Sequence, residues 1–390
     1  MSVSAEDFVE SLKGIRDWNE QLQQVERWAA SGEVERLWEI AHLLETPGSS
    51  SLSPLVSEAI FDHIETALAL TPGVACATML FRLAALPRRH TVQPWRTRPE
   101  AWRQAYLATL LASGQKAETL AALFTCGTDD SDQQDLLACL AQEMVVRHIP
   151  VEGVGTSGFS ASDVVRASRP LSWLPLALVS GEEELAWFLP RRKFRGSSCG
   201  APFGPDTPEE RHAEPQPTGD AFAAAVEVLP STTAPTEAVA NWLHESNGKA
   251  ESRLFVLDGS VEPAEISITT LIGLGLECLK GAEREDVRLR RAALADVLNV
   301  LFSAAANGGA YSSGHFAAFG RQEMWRSVAG LAGSSEGASF QEVGAQAEQC
   351  NWFLFDAASD WFYQVAWDMG VLVLRPNRRS LAVLAATDTD

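Results

Sequence analysis

The stretch Asn307-Gly308-Gly309-Ala310-Tyr311-Ser312-Ser313-Gly314-His315 brings glycines, hydroxyls and an imidazole together just ahead of a helical pattern. Glycines in that position let backbone N–H groups converge on an anion, and the helix dipole adds to the attraction. Arg321, about two turns into the helix, could supply a positive charge. The chemistry this suggests is capture of a small anionic, phosphate-bearing ligand by Gly308, Gly309, Tyr311, Ser313, His315 and Arg321. The segment lacks both the Gly-Lys-Ser/Thr ending of a P-loop and the GxGxxG spacing of a dinucleotide site. A plain turn would need the same residues, with glycine for positive φ and Ser313 as the helix cap. His315 beside Ser312 and Ser313 also permits a Ser-His-Asp arrangement with Asp356, although no nucleophile elbow surrounds either serine.

A second group of chemical interest is acidic. Asp356, Asp360, Asp368, Asp388 and Asp390 fall within the last forty residues, and carboxylates gathered at one end of a small sheet could hold a hard cation such as Mg²⁺. Asp388 and Asp390, two positions apart, would face the same way on a strand. Strand-end solubility accounts for them equally well. Asp360 and Asp368 join the candidate ligand site, no metal centre is assigned, and cofactor and catalytic residue stay open.

Both groups depend on elements that can be read from periodicity. From the start to about residue 150, apolar residues recur every three or four positions, as in Val9, Leu12 and Ile15 or Leu37, Ile40 and Leu44, which predicts about seven helices joined by short loops. That suits a helical bundle or a short α-solenoid, although no sequence repeat is found; Trp18, Trp28 and Trp38 stand ten apart, which puts them on different sides of a helix. Between Gly196 and Asp220 five prolines break every period, marking residues 196–220 as a linker or mobile loop between a helical domain, 1–195, and an α+β domain, 221–390.

In the second domain the pattern predicts a strand at Leu254 to Leu257 and helices at Ile266 to Leu279, Asp286 to Ala306, His315 to Leu331 and near Phe340 to Glu348. Strands follow at Trp352 to Phe355, Phe362 to Trp367, Val371 to Leu374 and Leu381 to Ala385. The last two flank the polar turn Arg375 to Ser380 and form a hairpin. Both are apolar on alternate faces, so the sheet should be covered on both sides, one of them by the Asp286 and His315 helices. The fold expected is mainly α, with a C-terminal α+β part built on a small sheet covered by helices.

Within this block, Gly308-Gly309-Ala310-Tyr311, Gly320-Arg321, Trp325-Arg326-Ser327, Asp360-Trp361, Ala366-Trp367-Asp368 and the closing Leu384-Ala385-Ala386-Thr387-Asp388-Thr389-Asp390 resemble the C-terminal signature of a family of uncharacterised proteins from high-GC bacteria. The resemblance covers the C-terminal quarter and carries no activity with it.

Composition narrows the function classes. A net charge of −20 opposes a phosphate backbone, so nucleic acid is not expected as a partner. The six cysteines form no CxxC pair, no signal-peptide core opens the chain, and no apolar stretch is long enough to span a bilayer. A cytoplasmic protein with reduced thiols and no membrane partner is expected. The whole sequence favours a scaffold that presents its helical part to another protein, without assignable catalysis; the rival is an enzyme or small-ligand protein using the Gly308 to Arg321 loop and the acidic strand ends.

Overall fold

The computed structural model describes residues 3–14, 17–46, 52–86, 102–155, 160–168, 171–189, 225–228, 234–363 and 367–389. The chain divides into two compact units, Met1–Ser172 and Trp173–Asp390. The expected linker at 196–220 lies outside the described residues, as do residues 364–366 of the expected strand at Phe362 to Trp367, whose described residues Phe362, Tyr363 and Trp367 are not in a strand.

In the first unit the described residues form nine α-helices: α1 (Ala5–Ser11), α2 (Asn19–Ser31), α3 (Val34–Glu45), α4 (Pro54–Leu70), α5 (Val74–Ala84), α6 (Trp102–Gly114), α7 (Ala117–Leu123), α8 (Ser131–Val146) and α9 (Ala161–Ala167). Local chemistry fixes their ends. Ser4 and Asp130 accept hydrogen bonds from N–H groups of the first turns of α1 and α8, Ser160 and Asp163 make a capping box on α9, and Gly32 closes α2 in the left-handed conformation. The packing follows a rule. Each helix from α1 to α6 lies against the one two places later: α1 on α3, α2 on α4, α3 on α5, α4 on α6, α5 on α7 and α6 on α8. Odd and even helices thus form two layers that advance together, which is the organisation of an α-solenoid.

Buried polar side chains knit this stack. The Gln115 amide donates to the Ala69 and Thr71 carbonyls at 2.7 and 2.8 Å and accepts from the Gly73 N–H at 2.9 Å, bridging the turn from α4 to α5. Arg103 pairs with buried Glu65 and donates to the carbonyls of Leu83, Ala84 and Leu86, placing a cation where the α5 dipole is negative. Gly114 lets α6 meet α4 closely, since a Cβ there would stand 2.4 Å from the Ala69 carbonyl oxygen.

The second unit contains β1 (Ala225–Val228), α10 (Ala240–Glu245), β2 (Lys249–Leu257), α11 (Ile268–Gly273), β3 (Val287–Ala292), α12 (Leu294–Asn307), α13 (Phe316–Ala332), α14 (Phe340–Glu348), β4 (Asn351–Ala357), β5 (Asp368–Leu374) and β6 (Ser380–Thr387). The strands make one sheet in the order β1-β2-β6-β5-β4-β3, antiparallel throughout. β6 is therefore an interior strand, buried along its whole length. One face carries Phe255, Phe353, Phe355, Leu372, Leu381 and Val383 and is covered by Leu271, Leu276, Leu279 and Phe362. The opposite face, with Leu354, Val371, Val373 and Leu384, meets α12 and α13.

Two expected helices are corrected. Val287 to Ala292 is an edge strand paired with β4, and helix α12 starts only at Leu294. The alternation Val-Arg-Leu-Arg-Arg places Arg288 and Arg290 on one face and Leu289 on the other, a strand period that ended too close to the helix to be separated from it. The stretch from Ile266 to Leu279 forms only the short helix α11 and one 3-10 turn, Glu277–Leu279, because Gly275 takes φ +63° and turns the chain.

Candidate functional site

The glycine loop is the link between α12 and α13. It is wound tightly: a Cβ on Gly308 would lie 2.7 Å from the Gly314 nitrogen, and one on Gly314 would lie 1.9 Å from the Ala306 carbonyl oxygen. Its backbone donors end on the protein itself. Gly309 N–H donates to Ser312 Oγ at 2.7 Å, Ala310 N–H to Asp388 Oδ2 at 2.7 Å, and Tyr311 N–H to Ser246 Oγ at 3.1 Å. Of these three donors only Ala310 meets an oxyanion, the fully buried carboxylate of Asp388. Ser313 is not the helix cap, because α13 begins at Phe316 with His315 as its N-cap residue. The Tyr311 ring points outward and is 62% exposed.

His315 is buried between two carboxylates. Its Nδ1 lies 2.7 Å from Glu323 Oε1, and its Nε2 lies 3.6 Å from Glu245 Oε1, an ion-pair separation without a hydrogen bond. Burial alone would pull the imidazole down; the charges of Glu323 and Glu245 outweigh it and hold the ring up at about 10. At neutral pH His315 is therefore an imidazolium, able to donate through Nε2 and unable to serve as a base. Its partners are glutamates from α13 and α10. Asp356, the aspartate expected to complete a Ser-His-Asp set, instead makes a bidentate pair with Arg288 across β3 and β4.

Arg321 has no face toward a ligand. It is fully buried, with Nε and Nη2 donating to the two oxygens of Glu182 at 2.7 Å each and with further bonds to the carbonyls of Pro175 and Ala177 at 2.8 Å. Glu182 also accepts from Trp325 Nε1 and from Val179 N–H. A guanidinium so enclosed fastens the 175–189 segment to α13.

The acidic residues also separate. Asp368 is buried at the start of β5 and accepts a hydrogen bond from Thr387 on β6. Asp360 is exposed and lines an open cleft of about 400 Å³ with Lys280, Ser359, Phe362 and Tyr363. Nearby, Lys249 Nζ stands 5.0 Å from the Trp361 ring centre and 4.7 Å from that of Tyr363. Among the described residues no group of three His, Cys, Asp or Glu side chains is arranged to hold a metal ion. The buried thiols of Cys76, Cys139, Cys278 and Cys350 are all pushed up by burial, that of Cys350 to about 12, so none is a thiolate nucleophile at neutral pH.

The eight residues singled out in the sequence thus fall into separate hydrogen-bonding groups. Gly308 and Ser313 pack against each other within the turn, Gly309 lies against Asp388, Tyr311 bonds Ser246, His315 sits between two glutamates, Arg321 pairs with Glu182, and Asp368 and Asp360 stand apart. The partners missed in the sequence, Glu182, Glu245, Glu323 and Ser246, come from distant positions or carry no local motif. Among the described residues no helix is long and apolar enough to cross a membrane.

No curated protein and no solved structure matches the chain. A model for a family of unknown function, DUF6183, matches residues 19–390, so the likeness is not confined to the C-terminal quarter but takes in the helical stack from α2 onward, the glycine loop and the whole sheet. The chain belongs to the DUF6183 family of unknown function.

Proposed function

We propose that this protein is an interaction scaffold whose helical unit presents a binding surface to another protein. The observation that carries the reading is the two-place stacking of α1 to α8, because helices advancing in two layers generate extended surfaces whose residues vary independently of the core. The chemistry-bearing groups of the other unit support it: the imidazole, the guanidinium and the loop amides are each engaged by separate partners within the fold. A protein of net charge −20 would favour a partner with basic or neutral polar surface over a polyanion.

The test is purification of the full chain from its native cell, with charge reversals at the exposed residues Glu20 and Glu26 on α2 or Glu35 and Glu39 on α3. A scaffold gives a partner in fixed stoichiometry that one of the paired reversals removes without moving the melting temperature. A chain that stays alone and instead binds a small molecule would overturn the reading. The cleft beside Asp360, with Lys280, Ser359 and Tyr363 on its walls, is the feature that favours a small polar or anionic ligand as the second reading.

A further inference from the structure

The Asp388 carboxylate is in an unusual position. It is fully buried, and among the described residues no lysine, arginine or histidine pairs with it; its oxygens accept from the N–H groups of Ala310 and of its own neighbour Thr389. A buried carboxylate without a countercharge is costly, so the pocket that receives it must be shaped and polarised for it. The glycine loop meets that demand. A Cβ built on Gly309 would lie 1.9 Å from Asp388 Oδ2 and 3.2 Å from Trp242 Cδ1, so the absent side chain is the space the carboxylate fills. Trp242 is fully buried, and its indole N–H, one bond from that Cδ1, has no hydrogen-bond partner. It is a spare donor at the wall of the same space.

We propose that the Gly308 to Gly314 turn, with Trp242 behind it, is a binding site for a small carboxylate, and that Asp388 is its built-in occupant. The site recognises the group through the Ala310 amide and the room left at Gly309, not through a formal positive charge, which distinguishes it from an arginine or lysine anion site. Because Asp388 follows directly on the last residue of β6, the occupant enters from the sheet while the receptor belongs to the helix pair. Removal of the Asp388 side chain opens the site to a carboxylate from solution.

Chemical rescue of the full chain tests this, with thermal unfolding compared in acetate and in chloride at equal ionic strength. Asp388→Ala should lower the melting temperature by about 5 °C, and acetate should restore about half of the loss relative to chloride. Acetate should do nothing for the parent protein, whose site is filled. It should do nothing for Gly309→Ala with Asp388→Ala either, because the new methyl occupies the space. If acetate is no better than chloride on Asp388→Ala, or stabilises the double variant equally, the proposal fails. Should Asp388→Ala not fold, Asp388→Asn decides: the proposal requires the amide to be less stable than the carboxylate, and equal stability overturns it.

Discussion

Replacing Arg321 by methionine strips a buried carboxylate of its countercharge. The guanidinium makes two 2.7 Å bonds to Glu182 and 2.8 Å bonds to the carbonyls of Pro175 and Ala177, with both charged side chains fully buried. Removing one member of such a pair costs about 3–5 kcal/mol. The stranded carbonyls add about 1 kcal/mol or more, although the losses overlap and do not simply sum. For a unit of this size, about 2–4 °C of melting temperature goes with each kcal/mol, so the lost ion pair alone should lower Arg321→Met by about 6–20 °C. Glu182→Leu should behave similarly, because it leaves the guanidinium unpaired. The double variant should recover a substantial part of the loss, since an apolar pair of similar volume is often tolerated where half an ion pair is not. Thermal and urea unfolding of the four proteins close a double-mutant cycle. A coupling energy near zero, or a single variant within about 0.5 kcal/mol of the parent, would refute the assignment of Arg321 as the fastening of the 175–189 segment and return it to the candidate ligand site.

Three further expectations can be measured. His315, held at about 10 in the folded state against 6.5 in the unfolded chain, stabilises fully below pH 6.5, and this contribution disappears as pH rises through 10; Glu237 and Arg326 also act on the Glu323 side of the cluster. Glu323→Gln should flatten that dependence, and an NMR titration of His315 with a midpoint near 6.5 in the parent would sink the idea. Gly114→Ala should destabilise the helical unit by about 2–4 kcal/mol, because the new methyl meets the Ala69 carbonyl of α4 at 2.4 Å; an unchanged denaturant midpoint would show that α6 can move away freely. Deletion of Leu381 to Asp390 should leave β2 and β5 without the strand between them and give insoluble protein, whereas removal of Thr389 and Asp390 alone should leave near-UV circular dichroism intact; a soluble longer deletion with native tryptophan signals would contradict the sheet order.

The parts of this fold legible in the sequence were those where burial on both sides leaves a continuous apolar run. Val371 to Leu374 and Leu381 to Ala385 read as covered strands because both of their faces pack, one beneath Leu271, Leu276, Leu279 and Phe362, the other on α12 and α13. Helix α12 was legible from Val297, Leu298 and Leu301, but its start was not, since β3 precedes it with only Ala293 between them and its arginines look equally at home on a helix surface. The glycine loop was legible as a tight turn leading into a helix, and one of its amides, that of Ala310, meets an oxyanion. What could not be read was the source of that oxyanion, or that Arg321 faces Glu182 and not the loop. Both partners lie far along the chain, and sequence spacing is informative only within one element.

The interior position of β6 has a consequence in time. β2 pairs along its length with a strand made well over a hundred positions later, Val256 with Ser380 and Lys249 with Thr387. At translation rates of about 5–20 residues per second, the β1-β2 ribbon must wait on the order of ten seconds beside a growing chain with one bonding edge vacant. During that interval α12 and α13 can already pair through local contacts, while the sheet they will cover is only partly made. The nascent protein therefore passes through a stage in which an unfilled strand position separates β2 from everything that follows it, and the rate at which β6 slots between β2 and β5 sets how long that vulnerable edge is open to the wrong neighbour.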